Sequence, residues 1–252
     1  MSRRLLDRCV AAAVFGAALL LYGSTVAPTA AFWDTGEFIA SAHTLQVNHP
    51  PGAPLYLLIG HLASLLVPPA HVALAVNLVS VGASALTVLL AHLIVARLVR
   101  RGRSEGAQGW TEEAQGWTEE LPALGGGAVG ALTFAATDSF WFNAGIAEVY
   151  ALSTFFTALV VWLVLRWSEA ARREEELIKG KGSHLFQLDA NRYLVLIAAL
   201  FGMAIGVHLL SLLIHSLPAR NNHGKQFFKT NPASSNKSVV FAQTVAGIKI
   251  EL

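Results

Sequence analysis

Two carboxylates stand three residues apart in Phe32-Trp33-Asp34-Thr35-Gly36-Glu37-Phe38, a spacing that places both on one side of a helical turn. Burial against Trp33 and Phe38 raises a carboxylate pKa, and a carboxylate near neutrality can take a proton from a hydroxyl as general base. The same spacing fits a helix start, with Asp34 as the cap and Glu37 completing the capping pattern. Next comes His49-Pro50-Pro51-Gly52-Ala53-Pro54-Leu55-Tyr56. Each proline fixes its own φ and disfavours helix in its predecessor, which predicts a rigid, extended approach to a helix beginning at Pro54. That approach would hold His49 and the Asp34 loop in defined positions. Farther along, Thr137-Asp138-Ser139-Phe140-Trp141-Phe142-Asn143 leads into Glu148-Val149-Tyr150. Asp138 reads as a turn residue, whereas Glu148 heads an apolar run. His208, in Gly206-Val207-His208-Leu209-Leu210, lies inside an apolar segment, where an ionisable group is a functional candidate by default. A neutral His bonded to a neighbouring helix is the alternative. Asn77, His71 and His92 read as packing or interface residues. No Walker loop, dinucleotide fingerprint or His-Glu-x-x-His motif occurs, and the single Cys9 excludes a disulfide framework or Cys-based zinc site within the chain. No metal site is assigned.

The elements that must position these residues are membrane helices. Of 252 residues, 54% are hydrophobic and only 13% charged, well below the quarter or so typical of soluble domains. A span needs about 20 mostly apolar residues. Five segments qualify, near Cys9 to Val26, Ala70 to Ala96, Leu121 to Thr137, Val149 to Leu165 and Tyr193 to Ile214, so the fold expected is an all-α, polytopic integral membrane protein. The formal net charge of +2 conceals a strong asymmetry, because no Lys or Arg occurs between Arg8 and Arg97. That is a topology signal and gives no reason to expect a nucleic-acid partner. Arg3, Arg4 and Arg8 place the N-terminus in the cytoplasm, with Arg97 to Arg103 and the cluster from Arg166 to Arg192 on the same side. The loops without Lys or Arg, Ala27 to Pro69 and Asp138 to Glu148, then face outward. The apolar run Ala53 to Val67 is short for a span, and we read it as a helix lying at the outer membrane surface within the first outer loop.

Three further features concern the ends and the joints of the chain. The N-terminus has signal-peptide character, with small residues at Ala30 and Ala31. Four more apolar segments follow, and we read it as a retained first span. Ala107 to Glu113 (AQGWTEE) is repeated unchanged as Ala114 to Glu120, in a polar loop where insertions are tolerated. Residues 219–252 turn polar, and their lysines lie on the wrong side for the charge rule, which sets them apart from the unit formed by residues 1–218. Asn236-Lys237-Ser238 fits a glycosylation acceptor.

The order of these motifs resembles one family. An aromatic-Asp-x-Gly-Glu loop after a span, His-Pro-Pro-Gly-Ala-Pro-Leu-Tyr, a later Phe-Trp-Phe-Asn with Glu-Val-Tyr-Ala-Leu, and Gly-Val-His-Leu-Leu together look like the membrane protein O-mannosyltransferases (glycosyltransferase family 117) within the GT-C superfamily. The resemblance runs from about Leu5 to Leu213. It implies transfer of a hexose, mannose in that family, from a polyprenyl- or dolichyl-phosphate donor to Ser or Thr hydroxyls of an acceptor protein, outside the cytoplasm. It also implies Asp34 as catalytic base, with Glu37 shaping the acceptor site or assisting the base, Glu148 and His208 toward the donor phosphate or sugar, and the surface helix after Pro54 flanking the lipid entrance. His49, Trp33 and Tyr56, within the matching motifs, join them as expected substrate-binding residues. Beyond the donor, no cofactor is implied, and a metal requirement is left open. The compartment is a bacterial inner membrane or the endoplasmic reticulum, for which the orientation argument is the same. GT-C enzymes have about twice as many spans, so the expectation is an N-terminal half of such an enzyme. The rival readings are a non-catalytic fragment or lipid-head-binding protein, and a small transporter working through His208 and Glu148.

Overall fold

A computed structural model describes residues 3–104, 112–181 and 188–207. Among these the chain is helical and contains no strand: α1 (Arg3–Ser24), α2 (Thr35–Thr44), α3 (Pro54–Ser64), a 3-10 turn (Pro69–His71), α4 (Val72–Ser104), α5 (Glu112–Ala135), α6 (Asp138–Ala144), α7 (Val149–Lys181) and α8 (Leu188–Ile205). Of the five apolar segments read from the sequence, four fall mainly in α1, α4, α5 and α7, and the described part of the fifth begins in α8. Three of them, Arg4–Ser24, Pro69–Gly102 and Val149–Glu175, are long and apolar enough to cross a membrane. The protein is an integral membrane protein. His208 and residues 219–252, including Asn236, lie outside the described residues, as do residues 107–111 of the heptad duplication.

Helix α4 is the axis of the bundle, with a separate apolar core on each side. Val14, Ala18 and Tyr22 of α1 pack with Val81, Ala85 and Val88 of α4 and with Ala131 and Ala135 of α5. On the other flank, Val72, Val76 and Ala83 of α4 meet α2, α3, α7 and α8 through residues such as Phe38, Tyr56, Phe156 and Leu200. Close approach of α4 and α5 depends on Gly127, where a Cβ would lie 2.9 Å from His92 Nδ1 and 3.0 Å from the His92 carbonyl. Small residues at such crossings let membrane helices approach closely. His92 is fully buried at this crossing, and neither ring nitrogen has a hydrogen-bond partner among the described residues.

The two ends of the bundle differ in chemistry. At one end, Arg97 of α4 forks Glu169 of α7, while Arg100 bonds Asp7 of α1 at 2.7 Å and Glu120 of α5 at 2.8 Å. Four helices are thereby clamped by guanidinium pairs, which suit bidentate carboxylate recognition. At the other end, the segment between α1 and α4 folds into α2 and α3, packed on each other and on α4. With 11 residues, α3 is about 17 Å long, too short to span, as the proline boundaries suggested. Asn77, read as a packing residue, donates to the carbonyls of Ala27 at 2.6 Å and Thr29 at 3.1 Å. It ties the exit of α1 to α4 and sets where the loop bearing Asp34 begins.

Candidate active site

Trp33 has φ of 66°, a left-handed conformation that is uncommon for a non-glycine residue and strained for a bulky one. It turns the chain so that Asp34 stands at the N-terminus of α2. The residue occupies the N-cap position, yet its side chain makes no cap hydrogen bond. Nor does Glu37 reach back in a capping box. It turns to the next loop, accepting from the backbone N–H of His49 at 2.6 Å and pairing with His49 Nδ1 at 2.9 Å. The capping alternative is thus overturned, because Glu37 is engaged by a group twelve residues on and Asp34 keeps its carboxylate for the cleft.

The His-Pro-Pro-Gly stretch forms a tight turn and not the extended approach expected of it. Gly52 N–H donates to the His49 carbonyl at 3.0 Å, and Gly52 has φ of 79°, a value that glycine adopts without strain. Prolines restrict φ but leave ψ free, so Pro50 and Pro51 can sit inside a turn. Asn48 locks it: buried, its Oδ1 accepts from Ala53 N–H at 3.2 Å. Asn48 was not legible as a site residue, and its position directly before the His-Pro-Pro-Gly turn was the one available signal.

His49 is therefore held from two sides. Below it, an aromatic column runs from Tyr56 to Phe38 (ring centroids 5.3 Å apart) and from Phe38 to His49 (5.9 Å). Above, its Nε2 faces Asp34 Oδ2 at 3.9 Å. The hydrogen bond that His49 Nδ1 donates to Glu37 raises the His49 pKa above the ordinary 6.5, and the same bond lowers Glu37 below 4.5. Glu148 joins from the start of α7. Its placement follows from contacts to the end of α1: Ala27 N–H donates to the Gly145 carbonyl at 2.9 Å, and Trp141 Nε1 donates to Thr25 Oγ1 at 2.9 Å. Glu148 is only 7% exposed. Burial first, and the Asp34 charge second, push its pKa up to about 7.

Asp34, Asn48, His49 and Glu148 line one small cleft of about 50 Å³, with Phe38, Gly52 and Tyr150 among the walls. An exposed carboxylate, an imidazole fixed by a second carboxylate and a buried carboxyl poised near neutrality can accept a proton and orient a hydroxyl. Asp34, Glu37 and His49 also bring ligand atoms within 4.8 Å of one another, a hard-oxygen and imidazole set of the kind that divalent cations take. Of the other expected residues, Trp33 is 85% exposed on the strained turn. Tyr56 is fully buried under the cleft, where it supports Phe38 and lines no part of the cleft.

Residues 34–219 match the family described as the protein O-mannosyl-transferase TMEM260 N-terminal domain. The chain belongs to this family. The match begins at Asp34 and takes in the whole cleft. A curated mouse relative, protein O-mannosyl-transferase TMEM260, is 30% identical over 163 residues, which are 65% of this chain and 20% of the relative. The chain thus spans about a fifth of the length of this TMEM260-family protein. No solved structure matches the chain.

Proposed function

We propose that the protein acts in O-mannosyl transfer, moving a mannosyl group from a polyprenyl- or dolichyl-phosphate donor to Ser or Thr hydroxyls at the end of the bundle that carries α2 and α3. The observation that carries this reading is the cleft in which Asp34, His49 and Glu148 converge, within a chain of the TMEM260 family. Asp34 takes the proton of the acceptor hydroxyl. The oxygen forms a bond to the anomeric carbon as the bond from that carbon to the lipid phosphate oxygen breaks, and the configuration inverts. Glu37 holds His49 in place, and the His49 ring faces Asp34 across the cleft. Glu148, largely desolvated, meets the sugar or phosphate of the donor. The charge pattern supports an extracytoplasmic site, since the cleft lies on loops without Lys or Arg and the arginine clamps gather at the opposite end.

The test is Asp34→Asn, assayed for acceptor mannosylation in a complemented membrane. Removing a general base commonly costs about 10²- to 10⁴-fold in rate, so transfer should nearly vanish while membrane insertion persists. Unchanged transfer would remove the assignment.

A further inference from the structure

Asn48 directly precedes the His-Pro-Pro-Gly turn and is only 6% exposed, yet it lines the carboxylate cleft. The two ends of its amide are used differently. Oδ1 accepts from Ala53 N–H at 3.2 Å, and that bond fixes which end of the amide is oxygen. Nδ2 has no hydrogen-bond partner among the described residues, and it is not sealed from solvent. In so buried a residue the remaining opening is the cleft that it lines. Desolvating an amide without giving its N–H groups a partner is costly, so such groups in native structures call for an explanation. The surroundings indicate what the partner is. Asp34 makes no capping bond and Glu148 stands in the same cleft, so carboxylate oxygens are on offer as acceptors, and His49 Nδ1 is already committed to Glu37. No Lys or Arg lines the cleft. A phosphate can only accept hydrogen bonds and is repelled by carboxylates, whereas sugar hydroxyls can donate to the carboxylates and accept from the amide.

We propose that Asn48 is a specificity-determining substrate contact, its Nδ2 donating a hydrogen bond to a hydroxyl oxygen of the sugar that is transferred. The inference rests on the mannosyl-transfer reading and adds to it a residue that reads the sugar. Asn48 then works in two directions: Oδ1 holds the turn that carries His49, and Nδ2 tests whether the sugar presents a hydroxyl. A site built to hydrogen-bond a hydroxyl rejects the analogue that lacks it, because the buried group of the protein is left unpaired.

The experiment measures equilibrium binding of polyprenyl-phosphate mannose to the full chain in phosphatidylcholine nanodiscs, beside monodeoxymannose analogues of the same donor, one for each ring hydroxyl. In the wild type one analogue should bind about 3- to 10-fold more weakly than the mannose donor, the order of one net hydrogen bond. Asn48→Ser keeps an oxygen for Ala53 N–H but is too short to reach the sugar, so the ratio of the two Kd values should fall toward one. Asn48→Ala should bring the same fall, with any loosening of the turn weakening all donors alike. A residue that only held the turn would change every Kd together and leave the ratio as it was. Equal binding of every analogue by the wild type, or a ratio unchanged in both variants, would overturn the proposal. The two readings fail separately. A wild type that binds no mannose donor removes the mannosyl-transfer reading and Asn48 with it, and binding without a ratio that depends on Asn48 sinks the Asn48 contact alone. Full transfer by Asp34→Asn with the Asn48 ratio intact sinks the catalytic assignment and leaves the sugar contact standing.

Discussion

Glu37 grips His49 twice, at the backbone N–H (2.6 Å) and at ring Nδ1 (2.9 Å). One carboxylate thus joins α2 to the Pro50–Pro51 turn and sets the orientation of the imidazole, leaving Nε2 toward Asp34. A second partner that fixes ring orientation and raises basicity is a recurrent arrangement for functional histidines.

Replacing Glu37 by Gln should lower the His49 pKa toward 6.5, read by NMR of the labelled imidazole, and reduce transfer less than Asp34→Asn does. The pair is charged on both sides only between the lowered pKa of Glu37 and the raised pKa of His49. Its stabilisation is lost as pH falls through the Glu37 value and again as pH rises through the His49 value. In Glu37→Gln both of these pH dependences should flatten; an unmoved His49 titration would refute the coupling.

Glu148 has the opposite sign. Its folded pKa of about 7 exceeds the ordinary 4.5, so the folded state holds the proton more tightly and stability falls as pH rises from about 4.5 to 7. The shift corresponds to at most about 3 kcal/mol. Glu148→Gln should leave thermal stability in detergent unchanged near the lower limit and raise it at pH 8. Equal effects at both pH values would mean that the carboxyl is not held near neutrality by burial.

Tyr56 separates support from substrate contact. Its hydroxyl, whose pKa burial raises, has no hydrogen-bond partner in the described structure, and neither does the hydroxyl of Ser80 with which it interacts. Tyr56→Phe should therefore be neutral or slightly stabilising and leave transfer intact, since deleting an unpaired buried polar group removes a penalty. Tyr56→Ala should destabilise by about 3–5 kcal/mol, in line with aromatic truncations in cores, and reduce transfer by undermining Phe38 and His49. A selective loss of transfer in Tyr56→Phe at unchanged stability would instead make the hydroxyl a substrate contact.

Gly60 lets α3 approach α2. A Cβ there would come within 2.9 Å of Ala42 Cβ and 3.4 Å of Val76 Cγ1. Gly60→Ala should cost about 1–3 kcal/mol by overpacking and, by displacing α2, weaken transfer more than the loss of stability alone explains. Thermal melts with matched activity assays decide this.

The helical, membrane-embedded character was legible because apolar length and composition report directly on burial in lipid, and the positions of arginines separate one end of the bundle from the other. The grouping of Asp34 with Glu37 was legible too, since a spacing of three survives any local helix. What those residues do for one another was not. The spacing of Asp34 and Glu37 fits a capping box equally well, and only the fold brings His49 to Glu37 and so draws it away from the helix end. The Pro-Pro-Gly turn shows the same limit, because proline restricts φ while tertiary contacts at Asn48 and Ala53 choose ψ. Tyr56 stood inside the motif, yet packing sends it beneath the cleft. Glu148 was visible as an acid before an apolar helix, but its burial and its nearness to Asp34 depend on Gly145 and Trp141 docking against the end of α1, contacts between residues more than a hundred positions apart. Sequence by itself determined the solvent of the helices and the identity of the reactive groups, through local composition; tertiary structure alone decided which groups share a cleft, because pairing, desolvation and the pKa shifts that follow are properties of distance in space.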